Sequence, residues 1–379
     1  MIGQKHNLSA NVRNKIRYAV VGQGYISQIA VLPSFAHASK NSELVALVSD
    51  DPEKLKKLGK KYDVELLYSY DRYEDLLKSG EIDAVYIALP NHMHCDYTVR
   101  AARAGIHVLC EKPMATTEQE CEEMIRACDE NKVKLMIAYR LHFEESNLKA
   151  IELVNSGKIG KLRTFNSVFS INVEEGNIRL RRETGGGTLF DIGIYCINAA
   201  RHLFRAEPTE AFAMTANNGE ARFKEIEEMT SAILRFPGDG IASFTCSFGA
   251  ADVSSYQAVG TEGSIRADPA YEFAGELKQT VTIKGKSRER TFTQRDQFAP
   301  ELIYFSDCIL TNKEPEPSGF EGLIDVRIIR ALYHSVELGE PVRLAVPQKD
   351  ERPGMEQEIK RPAVKEPALI KASAPSGKR

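Results

Sequence analysis

Between Ile16 and Ala138 short apolar runs alternate with amphipathic stretches, and the first run breaks off at Gly22-Gln23-Gly24. The runs Ile16 to Val21, Leu44 to Val48, Ala84 to Leu89, Ile106 to Cys110 and Leu135 to Ala138 are strand-like. Between them, Pro52 to Tyr62, Tyr73 to Lys78, His94 to Ala104 and Glu118 to Asn131 carry helical patterns. Strand and helix in alternation predict a parallel, doubly wound Rossmann sheet covered on both faces.

The pattern changes after Tyr139. A helix is expected from Phe143 to Ser156, then strand-like segments near Leu162 to Asn172, Thr209 to Ala216, Thr230 to Phe236, Ile241 to Phe248 and Gln279 to Ile283. Gly-rich turns such as Pro237-Gly238-Asp239-Gly240 favour an open, mainly antiparallel sheet with helices on one side. Helical patterns at Phe298 to Leu310 and Leu323 to Leu338 close the fold. The expected organisation is an extension over 1–14, a dinucleotide-binding domain over 15–139 and an α+β domain over 140–345. From Val346 the chain is rich in Pro, Lys and Glu, which predicts a flexible tail over 346–379.

The formal charge of -3, with no dominant basic run, points away from nucleic acid and acidic membranes, which makes small molecules the expected ligands. Seven cysteines without a Cys-x-x-Cys spacing suggest neither a disulfide framework nor a zinc site. The polar opening and the absence of a long apolar run predict a cytoplasmic protein.

Gly22-Gln23-Gly24-Tyr25-Ile26-Ser27 follows a predicted strand and precedes a helical pattern, as a dinucleotide fingerprint does, with Ser in place of the third glycine. Two glycines let backbone approach a pyrophosphate, which a helix N-terminus stabilises. At the end of the second strand, Asp50 suits ribose hydroxyls and NAD, whereas Ser49 and Lys54 suit a 2'-phosphate and NADP. Capping of the next helix by Asp50 or Asp51 is the competing reading, so NAD(H) or NADP(H) stays open. Leu89-Pro90-Asn91 with His94, and Glu111-Lys112-Pro113, lie at strand carboxyl ends, where open α/β sheets bind ligands. His92, His94 and Cys95 read as a helix-initiating loop rather than a metal cluster.

Downstream of Gly185-Gly186-Gly187, a helix over Thr188 to Phe204 places Asp191, Tyr195, Asn198 and His202 on one stripe at ~100° per residue. Leu189, Ile192, Cys196, Ala200 and Leu203 fall opposite. A stripe with a single formal charge resembles a cleft wall more than a solvated face. The competing reading is a polar face in which Asp191 acts as a cap.

Taken together, Gly22-x-Gly24, Pro90-Asn91-x-x-His94, Glu111-Lys112-Pro113 and Asp191-x-Gly193-x-Tyr195 resemble the Gfo/Idh/MocA oxidoreductase family, nearest its glucose-fructose oxidoreductase branch. The resemblance implies that Tyr195 is the acid-base residue, that Lys112 bonds the reacting hydroxyl before a cis Pro113, and that Asp191 contacts substrate. It further implies that Tyr139 and Arg140 enter the cleft near the nicotinamide and that Glu111 meets its ribose. The arginines at 179, 181 and 182 read equally as an anion site, with Arg181 touching substrate, or as an exposed loop. The implied function is NAD(P)-dependent hydride transfer to or from a sugar, sugar derivative or polyol, in a homodimer or homotetramer joined through the C-terminal sheet. The alternatives are a catalytically silent regulator and a sugar-sugar transhydrogenase with retained NADP. A free phenol titrates near ~10, so its use near neutrality calls for a cationic neighbour, a place that Lys112 suits.

Overall fold

The structure, a computed structural model, describes residues 14–349 and 351–376. Its first sheet holds six parallel strands: β1 (Ile16–Val21), β2 (Ser42–Val48), β3 (Leu66–Tyr68), β4 (Ala84–Ile87), β5 (His107–Glu111) and β6 (Leu135–Ala138). They lie in the order β3-β2-β1-β4-β5-β6, so the strand order reverses between β1 and β4 while all six strands stay parallel. That switch point opens a crevice at the strands' carboxyl ends. The connecting helices are α1 (Leu32–Ala38), α2 (Pro52–Tyr62), α3 (Tyr73–Leu77), α4 (His94–Arg103) and α5 (Glu118–Glu130).

Capping explains where two of them start. Asp51 accepts from the Lys54 amide with Pro52 just inside the helix, and Thr117 and Glu120 form a reciprocal capping box. The half-buried β3 is only three residues long, too short to show a period, and no sequence signal marked it.

The second sheet has nine strands: β7 (Leu162–Ser170), β8 (Glu210–Ala216), β9 (Met229–Phe236), β10 (Gly240–Ser247), β11 (Val253–Gly260), β12 (Gly263–Ala267), β13 (Leu277–Ile283), β14 (Lys286–Phe292) and β15 (Val342–Arg343). Only β7 and β10 pair in parallel; the other neighbours are antiparallel. Strand β9 shows the alternation: Thr230, Ala232, Leu234 and Phe236 are buried, while Ser231, Ile233 and Arg235 face outward. The inner face meets helices α7 (Ile194–Phe204) and α9 (Gly319–Leu338), and α6 (Glu145–Asn155) packs beside α7. The outer face exposes Val168, Met214 and Ile233 among hydroxyl-bearing neighbours.

Helix α8 (Ala299–Thr311) lies on the first sheet instead of the second. Its Ser306 hydroxyl meets Tyr18 and Ser42, each at 2.8 Å, and Phe305 and Leu302 are buried with Tyr18, Leu47 and Tyr86. The sequence boundary after residue 139 therefore does not separate the packing, because one face of the first sheet is completed about 160 residues later.

The segment over 346–379, expected as a flexible tail, makes side-chain contacts along its described length. Lys349 pairs with Glu316 and Glu321, Arg352 with buried Glu207, and Arg361 donates to the His37 carbonyl. Its polar side chains are held by ion pairs and backbone bonds, so the segment is anchored without a large apolar core. The extension over 1–14 lies, but for Asn14, outside the described residues. Among the described residues no helix is long and apolar enough to cross a membrane.

Candidate active site

The glycine turn sits at the end of β1. Gly22 takes φ +94°, and a Cβ there would lie 2.5 Å from the Ala88 carbonyl oxygen, so only glycine fits between β1 and the β4 loop. A Cβ on Gly24 would meet no protein atom within 4 Å, which leaves its backbone open to a pyrophosphate. Ser27, at the third fingerprint position, donates to the Gly22 carbonyl at 2.6 Å and so closes the turn itself. The chain continues as a wide turn over Ser27–Val31 into α1, with Pro33 in that helix's first turn. Tyr25 and Ile26 are half-buried beside the turn.

At the end of β2, Asp51 is the cap, which leaves Asp50 exposed beside half-buried Lys54. Ser49 is buried, and its hydroxyl accepts from the Asp51 amide at 3.3 Å. The phenol of Tyr70 is pushed up, first by burial and then by the charge of Asp50.

Three expected cofactor ligands on the next loops have structural partners. His94 is fully buried, its ring nitrogens each 2.9 Å from the carbonyls of Leu89 and Pro113, and burial holds its pKa below the usual range. It ties the β4 loop to the Lys112 loop and has no nitrogen left for a cofactor. Leu89 is buried against the glycine turn, and Asn91, after half-exposed Pro90, donates to the Gly185 carbonyl at 2.8 Å. Glu111 is likewise turned inward, accepting from Tyr86 Oη at 2.8 Å, and burial raises its pKa.

Lys112, Asp191 and Tyr195 are brought together. The Lys112–Pro113 bond is cis. Lys112 Nζ donates to the Asp191 carbonyl at 2.9 Å, stands 3.6 Å from its carboxylate and lies 4.9 Å from the Tyr195 ring centre. Arg179 Nε holds the other carboxylate oxygen at 2.7 Å. Burial pushes Asp191 upward, but Arg179 and Lys112 outweigh it and keep the carboxylate below its usual range. Arg140 Nε reaches the Tyr195 hydroxyl at 3.3 Å, and its other nitrogens bond Gln297 and the Tyr271 carbonyl. Two cations thus flank one phenol at the open edge of the first sheet.

The predicted helix starts with a wide turn over Leu189–Gly193 before α7. Such turns recur at functional sites because they re-aim side chains. Here the stripe divides: Asp191 and Tyr195 meet Lys112, whereas Asn198 and His202 are buried against α9. Beneath them Arg201 bonds Glu207, Glu321 and Asp325, all fully buried. Tyr139, expected at substrate, is buried with its phenol toward Asp325 and Glu321, while it also lines a small cavity with Lys112, Arg140 and Tyr195. Arg181 is exposed, and Arg182 bonds the Glu225 carbonyl; the half-turn geometry selects Arg179 for the site instead. Sequence reasoning grouped the three arginines, and only the fold distinguishes them.

Among the described residues one group has metal-ligand spacing, His142, His202 and Glu321. Glu321 Oε1 already accepts from Arg201 at 2.6 Å and Asn198 at 3.0 Å, which puts positive charge where a cation would have to sit.

A glycine turn on a Rossmann sheet whose crevice meets a lysine, a carboxylate and a phenol defines a nicotinamide-dinucleotide oxidoreductase. Residues 16–139 match the NAD-binding Rossmann fold of the Gfo/Idh/MocA oxidoreductases and residues 147–266 match the C-terminal domain of that family. The chain belongs to the Gfo/Idh/MocA oxidoreductase family. It is 34% identical to the NADP-dependent D-xylose 1-dehydrogenase of Haloarcula marismortui over 87% of this chain and 94% of that one. The crystal structure of aldose-aldose oxidoreductase from Caulobacter crescentus, complexed with glycerol, is 38% identical with a TM-score of 0.83, covering 87% of this chain and 100% of that one. A 3-ketoreductase from Actinomadura kijaniata, in complex with NADP and TDP-benzene, is 25% identical with a TM-score of 0.77, covering 85% and 98%.

Proposed function

We propose that this enzyme transfers hydride between NADP(H) and the anomeric carbon of an aldose. The observation that carries this reading is the convergence of Lys112, Asp191 and Tyr195 at the carboxyl end of the sheet that also carries the Gly22–Gly24 turn. NADP(H) is favoured over NAD(H) by the nucleotide named for the Haloarcula relative and by half-buried Lys54, with exposed Asp50 pulling the other way. Bound at the crevice, the nicotinamide supplies the hydride acceptor or donor.

The protein's own residues handle the proton. In oxidation Tyr195 acts from its phenolate form, whose charge Lys112 and Arg140 balance; it takes the hydroxyl proton as the carbon's hydride leaves for the nicotinamide, and ends as the neutral phenol. Asp191, pinned by Arg179, fixes Lys112 and presents a carboxylate to a sugar hydroxyl. Reduction reverses the proton's path.

The unpartnered outer face of the second sheet, with Val168, Met214 and Ile233 exposed, is the surface through which two copies would join. Cytoplasmic residence is part of the same reading, consistent with seven unpaired, buried cysteines.

Mass spectrometry of the dinucleotide released on denaturation, followed by an aldose and polyol panel with that dinucleotide, tests the reading. Turnover of aldoses with NADP supports it. A purified chain that binds dinucleotide yet turns over no member of the panel overturns it in favour of a silent regulator.

A further inference from the structure

At Arg361 the C-terminal segment is already tied to α1 through the His37 carbonyl, and beyond it the chain stays against the helices of the first sheet. Val364 and Glu366 face Ile29, Ala30 and Ser34 at the start of α1. The Ala368 carbonyl accepts from Lys61 at 3.1 Å, near the end of α2. Ile370 then makes a two-way bond with one side chain: its amide donates to Gln28 Oε1 at 2.7 Å, and its carbonyl accepts from Gln28 Nε2 at 2.9 Å. Gln28 is fully buried, and the same Nε2 donates to the carbonyl of Gln23, the residue between Gly22 and Gly24. One amide group therefore joins the glycine turn to residue 370.

The next residue reaches the neighbouring strand end, where β2 passes into α2. Lys371 Nζ lies 2.6 Å from Glu53 and 3.2 Å from Asp51, at the N-terminus of α2, where the adenosine half of a dinucleotide rests in this fold. Four residues later the Pro375 carbonyl accepts from the Glu174 amide at 2.9 Å, in the loop that follows β7 of the second sheet. Leu369 and Ile370, like Tyr25 and Ile26, also pack against the apolar cluster that includes Ile29 and Ala30. The segment is thus fastened to both walls of the crevice.

We propose that residues 364–376 form a strap that retains a nicotinamide dinucleotide by tying the glycine turn and the start of α2 to the second half of the molecule. This rests on the proposed dinucleotide-dependent function and adds to it a kinetic property, slow exchange of the dinucleotide. The Gln28–Ile370 pair carries the fastening, because Gln28 is fully buried and opening the pair strips its amide of both Ile370 partners. The Lys371 pairs are solvent-exposed and add little to affinity, but they set where the strap crosses.

The test is the dissociation rate of NADPH, followed by stopped-flow fluorescence on displacement with excess NADP, in three forms of the protein. The first is the full chain. The second ends at Val364 and keeps the anchors Lys349, Arg352 and Arg361. The third is Ile370→Pro, which keeps the length but removes the amide that donates to Gln28. The strap predicts release at least tenfold faster in both variants, with turnover at saturating NADP no lower than in the full chain. Release within twofold of the full chain in Ile370→Pro, or in the truncation, overturns the strap. A full chain that binds neither NADP nor NAD overturns the proposed function instead, and the two failures are thereby distinguishable.

Discussion

Arg179 grips one carboxylate oxygen of Asp191 at 2.7 Å, while Lys112 stands 3.6 Å from the other. Asp191 is therefore shared between a cation brought by the loop before the helix and one brought by the first sheet. It joins the crevice's two walls.

That sharing predicts a pH effect. Arg179 and Lys112 hold Asp191 below the usual carboxylate range, so the carboxylate persists into acid and is lost only below that depressed value. In Arg179→Met one of the two cations is gone and the Asp191 pKa rises. The acid limb of the kcat/KM profile should move to higher pH, with the alkaline limb in place; superimposable profiles would remove Arg179 from the site's electrostatics.

Tyr195→Phe removes the proton carrier while keeping the ring between Phe169 and Tyr271. Turnover should fall by ~10²–10⁴, the usual worth of a positioned acid-base group. Dinucleotide affinity, measured by calorimetry, should stay within about twofold, since the phenol lies beyond the glycine turn. An unchanged kcat would exclude Tyr195 from the chemistry.

The two glycines separate folding from binding. Gly22→Ala forces a side chain into the left-handed region and into the Ala88 carbonyl, which should cost about 1–3 kcal/mol of stability and lower Tm. Gly24→Val has open space and should leave Tm nearly unchanged. It should still weaken dinucleotide binding by at least ~100-fold, about 2.7 kcal/mol, by occupying the pyrophosphate's approach. If Gly24→Val binds normally, the dinucleotide lies elsewhere.

His202 predicts a stability slope. Burial pushes it down to about 4, below the usual histidine value, so it is neutral in the native state where the unfolded chain would be protonated. Its contribution is complete above the unfolded value and is lost as pH falls from there toward 4, at up to about 1.4 kcal/mol per pH unit. Asp325, raised to about 6 by burial, works in the opposite sense, so the difference between proteins is the readout. Urea unfolding of His202→Gln should lose stability less steeply than the parent between pH 6.5 and 5.

Elements with a strong period were readable: α2 begins and ends where its Asp51-Pro52 start and apolar spacing put it. Strand β14 was not, because Lys286 to Thr291 are all exposed on an edge hairpin and no buried face imprints an alternation. Nor was the short β12 or the Ser-rich β11. At the site, Lys112, Asp191 and Tyr195 were visible because chemistry restricts residue type. His94, Glu111 and Tyr139 share those residue types but are turned to carbonyls, to Tyr86 and to α9, and no one-dimensional pattern distinguishes a ligand from a tie. Arg179's selection over Arg181 depends on which side of a half-turn each residue occupies, information that lies in the fold.

Helix α8, resting on the first sheet, ties the order of synthesis to the order of folding. When β6 leaves the ribosome, Tyr18, Leu47 and Tyr86 still lack the helix that covers them. At ~5–20 residues per second their cover arrives on the order of ten to thirty seconds later. For that interval the nascent dinucleotide half carries an apolar flank that Leu302 and Phe305 have yet to cover, the kind of transient exposure that favours aggregation during synthesis.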